Sequence, residues 1–90
     1  MKNDNMEKVK ECKLIGYENS FPIYIIDKKE FTSVDDSVLV DICGKAIARG
    51  VLQDSEGNLY YAYFNIENEQ AEELENACNW DVVDYIELTD

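Results

Sequence analysis

The chain has 90 residues, enough for one domain with a single modest core. Hydrophobic residues make up 46% of it, which excludes the composition of a disordered tail, and no apolar run approaches the ~18 residues of a membrane span. The formal net charge is −12, and the eleven acids of residues 50–90 have no lysine or arginine among them, so direct contact with nucleic acid or an anionic membrane is disfavoured and a basic partner is favoured.

In chain order, residues 1–10 are polar and lysine-rich and read as a frayed end or a short helical turn of the single domain 1–90. They lack the apolar stretch of a signal peptide, which points to the cytoplasm. From Glu11 to Tyr17 the pattern alternates, with Cys12 and Leu14 on one face and Lys13, Ile15 and Tyr17 on the other. Gly16 and Asn19-Ser20 supply turn chemistry, and Phe21–Asp27 follows as a β-branched and aromatic strand, so the two form a hairpin. Lys28–Asp36 is polar and reads as a connection. Over 37–43 a strand competes with a helix that would start at Thr32 or Ser33, and the β-branched run favours the strand.

Lys45–Gln53 and Leu59–Ile66 flank the polar loop Asp54-Ser55-Glu56-Gly57-Asn58 and predict a second hairpin. In its second strand Tyr60, Ala62, Phe64 and Ile66 share one face, and Leu59, Tyr61 and Tyr63 the other. A calcium loop is the alternative for Asp54–Asn58, but Asn65 stands where the bidentate glutamate belongs. Ala71, Leu74 and Cys78 then recur at helical spacing, with Asn68 as a cap, so an acidic helix is predicted at 68–79. Asp81–Leu88 alternates again as a last strand. The expected fold is therefore α+β: a mostly antiparallel sheet of five to six strands, curling toward a barrel, with one acidic helix before the last strand.

Catalytic and cofactor chemistry finds little footing. There is no histidine to activate a serine or cysteine, and the four glycines are scattered, so neither an enzyme nor a cofactor is expected. Cys12, Cys43 and Cys78 are odd in number and set among apolar neighbours, so buried free thiols are expected rather than disulfides or a metal site. What stands out is charge. Glu69, Glu72, Glu73 and Glu75, continued by Asp81 and Asp84 with Glu87 and Asp90, would form a carboxylate ladder that imitates a phosphate backbone, with a merely solvated acidic face as the plainer reading. Tyr61 and Tyr63, opposite the presumed core face, are the candidate aromatic anchors for a partner, while Trp80 reads as core.

The combination of small size, acidity, an antiparallel sheet with one acidic helix and no enzyme motif resembles anti-CRISPR and anti-restriction proteins of the DNA-mimic type, encoded by phages and mobile elements. The run Ala77-Cys78-Asn79-Trp80-Asp81 is similar to the ending of various small phage proteins. The resemblance implies an inhibitor that acts in the cytoplasm of a bacterial host and occupies the basic nucleic-acid-binding surface of a defence protein. It carries over no functional residue. Two alternatives come from other classes: an assembly module that dimerises through a tyrosine-bearing sheet face, and a sponge for a small ligand in which Lys45 and Arg49 line a pocket.

Overall fold

A computed structural model describes residues 6–89. Among these residues seven strands form one antiparallel sheet: β1 (Met6–Lys8), β2 (Cys12–Glu18), β3 (Phe21–Ile26), β4 (Lys29–Ile42), β5 (Lys45–Asp54), β6 (Leu59–Phe64) and β7 (Tyr85–Leu88). Their spatial order is β1-β7-β6-β5-β4-β3-β2. The first two strands in sequence are thus the two edges of the sheet. In a flat sheet six spacings would separate those edges by about 29 Å. The chain from Lys8 to Cys12 spans at most ~14 Å when fully extended. The sheet must therefore curl into a half-barrel, and residues 9–11 bridge its edges. Val9 N–H donates to Asp84 O at 2.8 Å and Asp27 N–H to Glu11 O at 2.9 Å. The Asp27 carboxylate accepts from Lys10 N–H and Glu11 N–H, which pins the bridge.

Local chemistry explains the meander. Three connections are two-residue turns whose central residues both have positive φ: Asn19-Ser20, Asp27-Lys28 and Cys43-Gly44. That is the arrangement of a type I′ turn, whose twist matches that of the flanking strands. The β5–β6 turn is longer. Asp54 Oδ1 accepts from Glu56 N–H at 3.0 Å and from Asn58 N–H at 2.9 Å, and Gly57 takes φ 91°.

The core lies on the concave side. Tyr24, Ile26, Phe31, Ala48, Leu52, Ala62, Phe64 and Val83 are buried there. On β6 the division of faces follows the alternation read from sequence, with Tyr60, Ala62 and Phe64 turned to this core.

The α+β expectation is overturned: the fold is all-β, with seven strands rather than five to six, and there is no helix at 68–79. Among the described residues the only helical piece is a 3-10 turn at Leu74–Asn76. Residues 65–84 form an irregular loop closed by a bridge between Ile66 and Cys78. Inside it Glu67 N–H and Asn68 N–H both donate to Ala77 O, at 2.7 and 3.0 Å. Asn68 does not cap a helix; its side chain closes a turn onto Gln70 N–H. The physical reason lies in the same residues. Four glutamates at near-helical spacing repel one another with no lysine to offset them. The few apolar residues gain more by plugging the open side of the half-barrel. Leu74, Cys78 and Trp80 pack on the core, and Val83 is fully buried in it.

Three further expectations change. Residues 29–36 are not a connection, because β4 runs through Lys29–Ile42, which settles 37–42 as strand and leaves Cys43 in the following turn. Residues 6–8, expected to be frayed, pair with β7; residues 1–5 lie outside the described residues. Cys43 is exposed in its turn, while Cys12 and Cys78 are half-buried.

Candidate functional site: a cleft where two strands part

β3 and β4 pair only from Ile26↔Lys29 to Ile23↔Thr32. The next residue of β3 is Pro22, which has no N–H to give, so the ladder ends there. Beyond it β4 peels away through two bulges, with Val34 as one extra residue and Asp36 and Ser37 together facing Gly50. A cleft of about 730 Å³ opens between the parted strands and the 65–84 loop.

Each wall follows from a local irregularity. In β2 a bulge at Ile15 puts two residues against one of β3, so that Tyr17 pairs with Pro22. This carries Tyr17 to the concave face with Leu14, although simple alternation places it on the other. The tyrosine is 65% exposed at the cleft mouth. The floor is aromatic. The Phe64 and Trp80 rings meet edge to face at 4.8 Å, and Tyr24 lies 6.3 Å from Phe64. Trp80 is held from both ends: its Nε1–H donates to Glu75 O at 2.9 Å, and its carbonyl accepts from the Tyr24 hydroxyl. Burial pushes the Tyr24 phenol well above the ordinary tyrosine range, so it stays a donor. Gly50 keeps the cleft open. A Cβ there would come within 2.7 Å of Ser37 Oγ.

The rim is acidic. Asp35 and Asp36 come from the β4 bulges, and Glu73 and Glu75 from the loop. Among the described residues no lysine or arginine lines the cleft. An electron-rich floor beneath four carboxylates suits a cation that is flat or apolar along its stem, such as arginine or lysine.

The sequence-derived residues divide among several places. Glu73 and Glu75 belong to this cleft. Glu69 and Glu72 line a second hollow of about 600 Å³, together with Leu39 and Lys45. Asp81 is exposed beside Cys12, whose thiol donates to the Asp81 carbonyl. Asp84 is half-buried, and its Oδ2 is buried without a hydrogen-bond partner among the described residues. The acids therefore do not form one ladder. Tyr61 lies under the Arg49 guanidinium at 4.3 Å. Tyr63 is buried, and its hydroxyl donates to Glu87 Oε1 at 2.6 Å. Both tyrosines are occupied within the fold. Asp35, Asp36, Tyr17 and the role of Trp80 escaped the sequence reading.

Burial and the Glu87 carboxylate push the Tyr63 phenol up to about 12. A raised phenol stabilises the fold fully below pH ~10, the unfolded value, and that contribution is lost as pH rises toward 12. Tyr63→Phe is therefore expected to cost about 1 kcal/mol at pH 7 and to reduce the alkaline loss of stability. Urea titrations at pH 7 and pH 10.5 check this; equal alkaline losses in both proteins would refute it.

No family model matches the chain, and neither a curated protein nor a solved structure matches it. No helix among the described residues is long and apolar enough to cross a membrane.

Proposed function

We propose that the protein is a non-catalytic binding module that captures a basic, nucleic-acid-handling protein and so keeps nucleic acid from it. The observation that supports this is the cleft rim: Asp35, Asp36, Glu73 and Glu75 around an aromatic floor, with no base among the lining residues. Arginine or lysine side chains that normally meet phosphates would meet these carboxylates instead. The net charge of −12 adds long-range attraction and makes association fast and salt-sensitive. A sponge for a small ligand held by Lys45 and Arg49 gains little support: Lys45 lines the second hollow beside Glu69 and Glu72, and Arg49 lies instead over Tyr61. Nor does any observation favour dimerisation through the tyrosine face, where Arg49 covers the Tyr61 ring and Tyr63 is buried with its hydroxyl on Glu87.

The test neutralises the rim with near-isosteric amides: Asp35→Asn, Asp36→Asn, Glu73→Gln and Glu75→Gln together. The wild-type protein is first used to retain partners from bacterial lysate, with washes at low and high salt. A retained nucleic-acid-binding protein is then purified and titrated against both forms in competition with DNA. Binding by the amide variant is expected to weaken about a hundredfold, as four partly exposed contacts of roughly 0.7 kcal/mol each would give. Unchanged binding and unchanged competition by a folded variant would eliminate the cleft as the contact.

A further inference from the structure

We infer that the free edge of β4 receives an extended basic segment of the partner as an additional strand, which lies along the acid-rimmed cleft. The inference rests on the proposed function for the partner's charge and adds how the partner is held. Its first support is topological. β4 has fourteen residues, but only Lys29–Thr32 pair with β3, so from Ser33 to Ile42 its outer edge carries no strand among the described residues. On its inner side the same stretch is paired with β5 up to Ile42↔Lys45. The edge is thus held extended by one neighbour and left open toward the other, the condition for strand addition. Val34, Val38 and Leu39 are exposed along it, at 40%, 49% and 60%.

Charge decides the occupant. From Glu30 to Gly44 there are four acids (Glu30, Asp35, Asp36 and Asp41) and no lysine or arginine. A second copy of the chain would bring like charges face to face across the new ladder, which is destabilising. An extended segment carrying arginine or lysine at alternate positions would meet opposite charge. Ser33, Asp35, Asp36 and Ser37 belong both to this edge and to the cleft wall. A strand added there sends every second side chain toward the aromatic floor, because successive residues point to opposite faces. Main-chain hydrogen bonds then supply affinity irrespective of sequence, while the cleft selects for positive charge.

The probe is a ten-residue peptide alternating arginine and valine, compared with the same peptide N-methylated at every residue, which keeps the charges but cannot donate. Binding is followed by Trp80 fluorescence and by amide hydrogen exchange of the intact protein. The parent peptide is expected to bind, to be released by salt and to slow exchange of alternate β4 amides between Ser33 and Ile42. N-methylation is expected to weaken it at least thirtyfold. If the methylated peptide binds within threefold, or the parent binds without protecting β4, strand addition fails while the basic-partner reading stands. If neither peptide binds at low salt, both fail. If the protein alone sediments as a dimer with β4 protected, the edge belongs to a second copy and the inference is overturned.

Discussion

Phe64→Ala is expected to remove about 4 kcal/mol of stability, the middle of the range for truncating a buried phenylalanine. Phe64 is 3% exposed at the end of β6, where its ring touches both Trp80 and Tyr24. It joins the sheet to the loop that closes it. A 90-residue domain holds in total something like 4–14 kcal/mol. The substitution therefore consumes a large share of the whole and leaves a population of unfolded chains at physiological temperature. Phe64→Leu, which keeps most of the volume, should cost less than ~1.5 kcal/mol. Urea unfolding followed by the single tryptophan reads both. A cost below 1 kcal/mol for Phe64→Ala would mean that the 65–84 loop does not pack on the sheet as described.

The same contact shows which parts of the architecture could be read from residues alone. Runs dense in β-branched and aromatic residues were legible: Phe21–Ile26, the pair around Asp54–Asn58, and the second half of the run Asp81–Leu88, of which only Tyr85–Leu88 is strand while 81–84 belong to the loop. Of β4 only the second half, from Ser37, was legible; Lys29–Asp36 was not, because two bulges and the acids Asp35 and Asp36 break its alternation, and the turn before it, Asp27-Lys28, contains no glycine to announce it. The loop was misread for a different reason. Ala71, Leu74 and Cys78 have helical spacing, but a plug over an open half-barrel needs the same few apolar anchors at similar intervals. Spacing alone does not distinguish the two, while the unpaired glutamates weigh against the helix. A bulge likewise hides its consequence. One extra residue at Ile15 reverses the face of Tyr17; its mark in the sequence is Gly16, which sits inside β2 opposite Ile23 rather than in the turn its chemistry suggests. Acidity as the dominant feature was legible. Its focus at a strand split was not, because Asp35 and Asp36 are about forty residues from Glu73 and Glu75 and meet them only through the curl of the sheet.

Asp54 is expected to govern the acid limit of the fold. Its side chain is fully enclosed at the β5–β6 turn. Burial pushes the carboxyl up, but hydrogen bonds from Asn58 and Glu56 and the Lys29 ammonium at 3.1 Å outweigh that and hold it at about 2. A depressed carboxyl contributes stability that is present above the unfolded value near pH 4 and lost as pH falls toward 2. Two contributions can be separated. Lys29 is nearly half exposed, and exposed ion pairs contribute little, so Lys29→Met should move the midpoint only slightly. The turn N–H groups of Glu56 and Asn58 have their acceptor in Oδ1 of this carboxylate, so Asp54→Ala strands them. That change should lower Tm at pH 7 by something on the order of 10 °C. Asp54→Asn keeps one acceptor oxygen but carries no charge, and its Tm should be nearly flat between pH 4 and 2, where the wild type falls. Melting curves across pH 2–7 decide the matter. Parallel acid limbs for wild type and Asp54→Asn would assign the acid transition to other carboxylates. A steeper wild-type limb would place it in the turn that joins β5 to β6, the strands that carry Gly50 and Phe64 beneath the cleft.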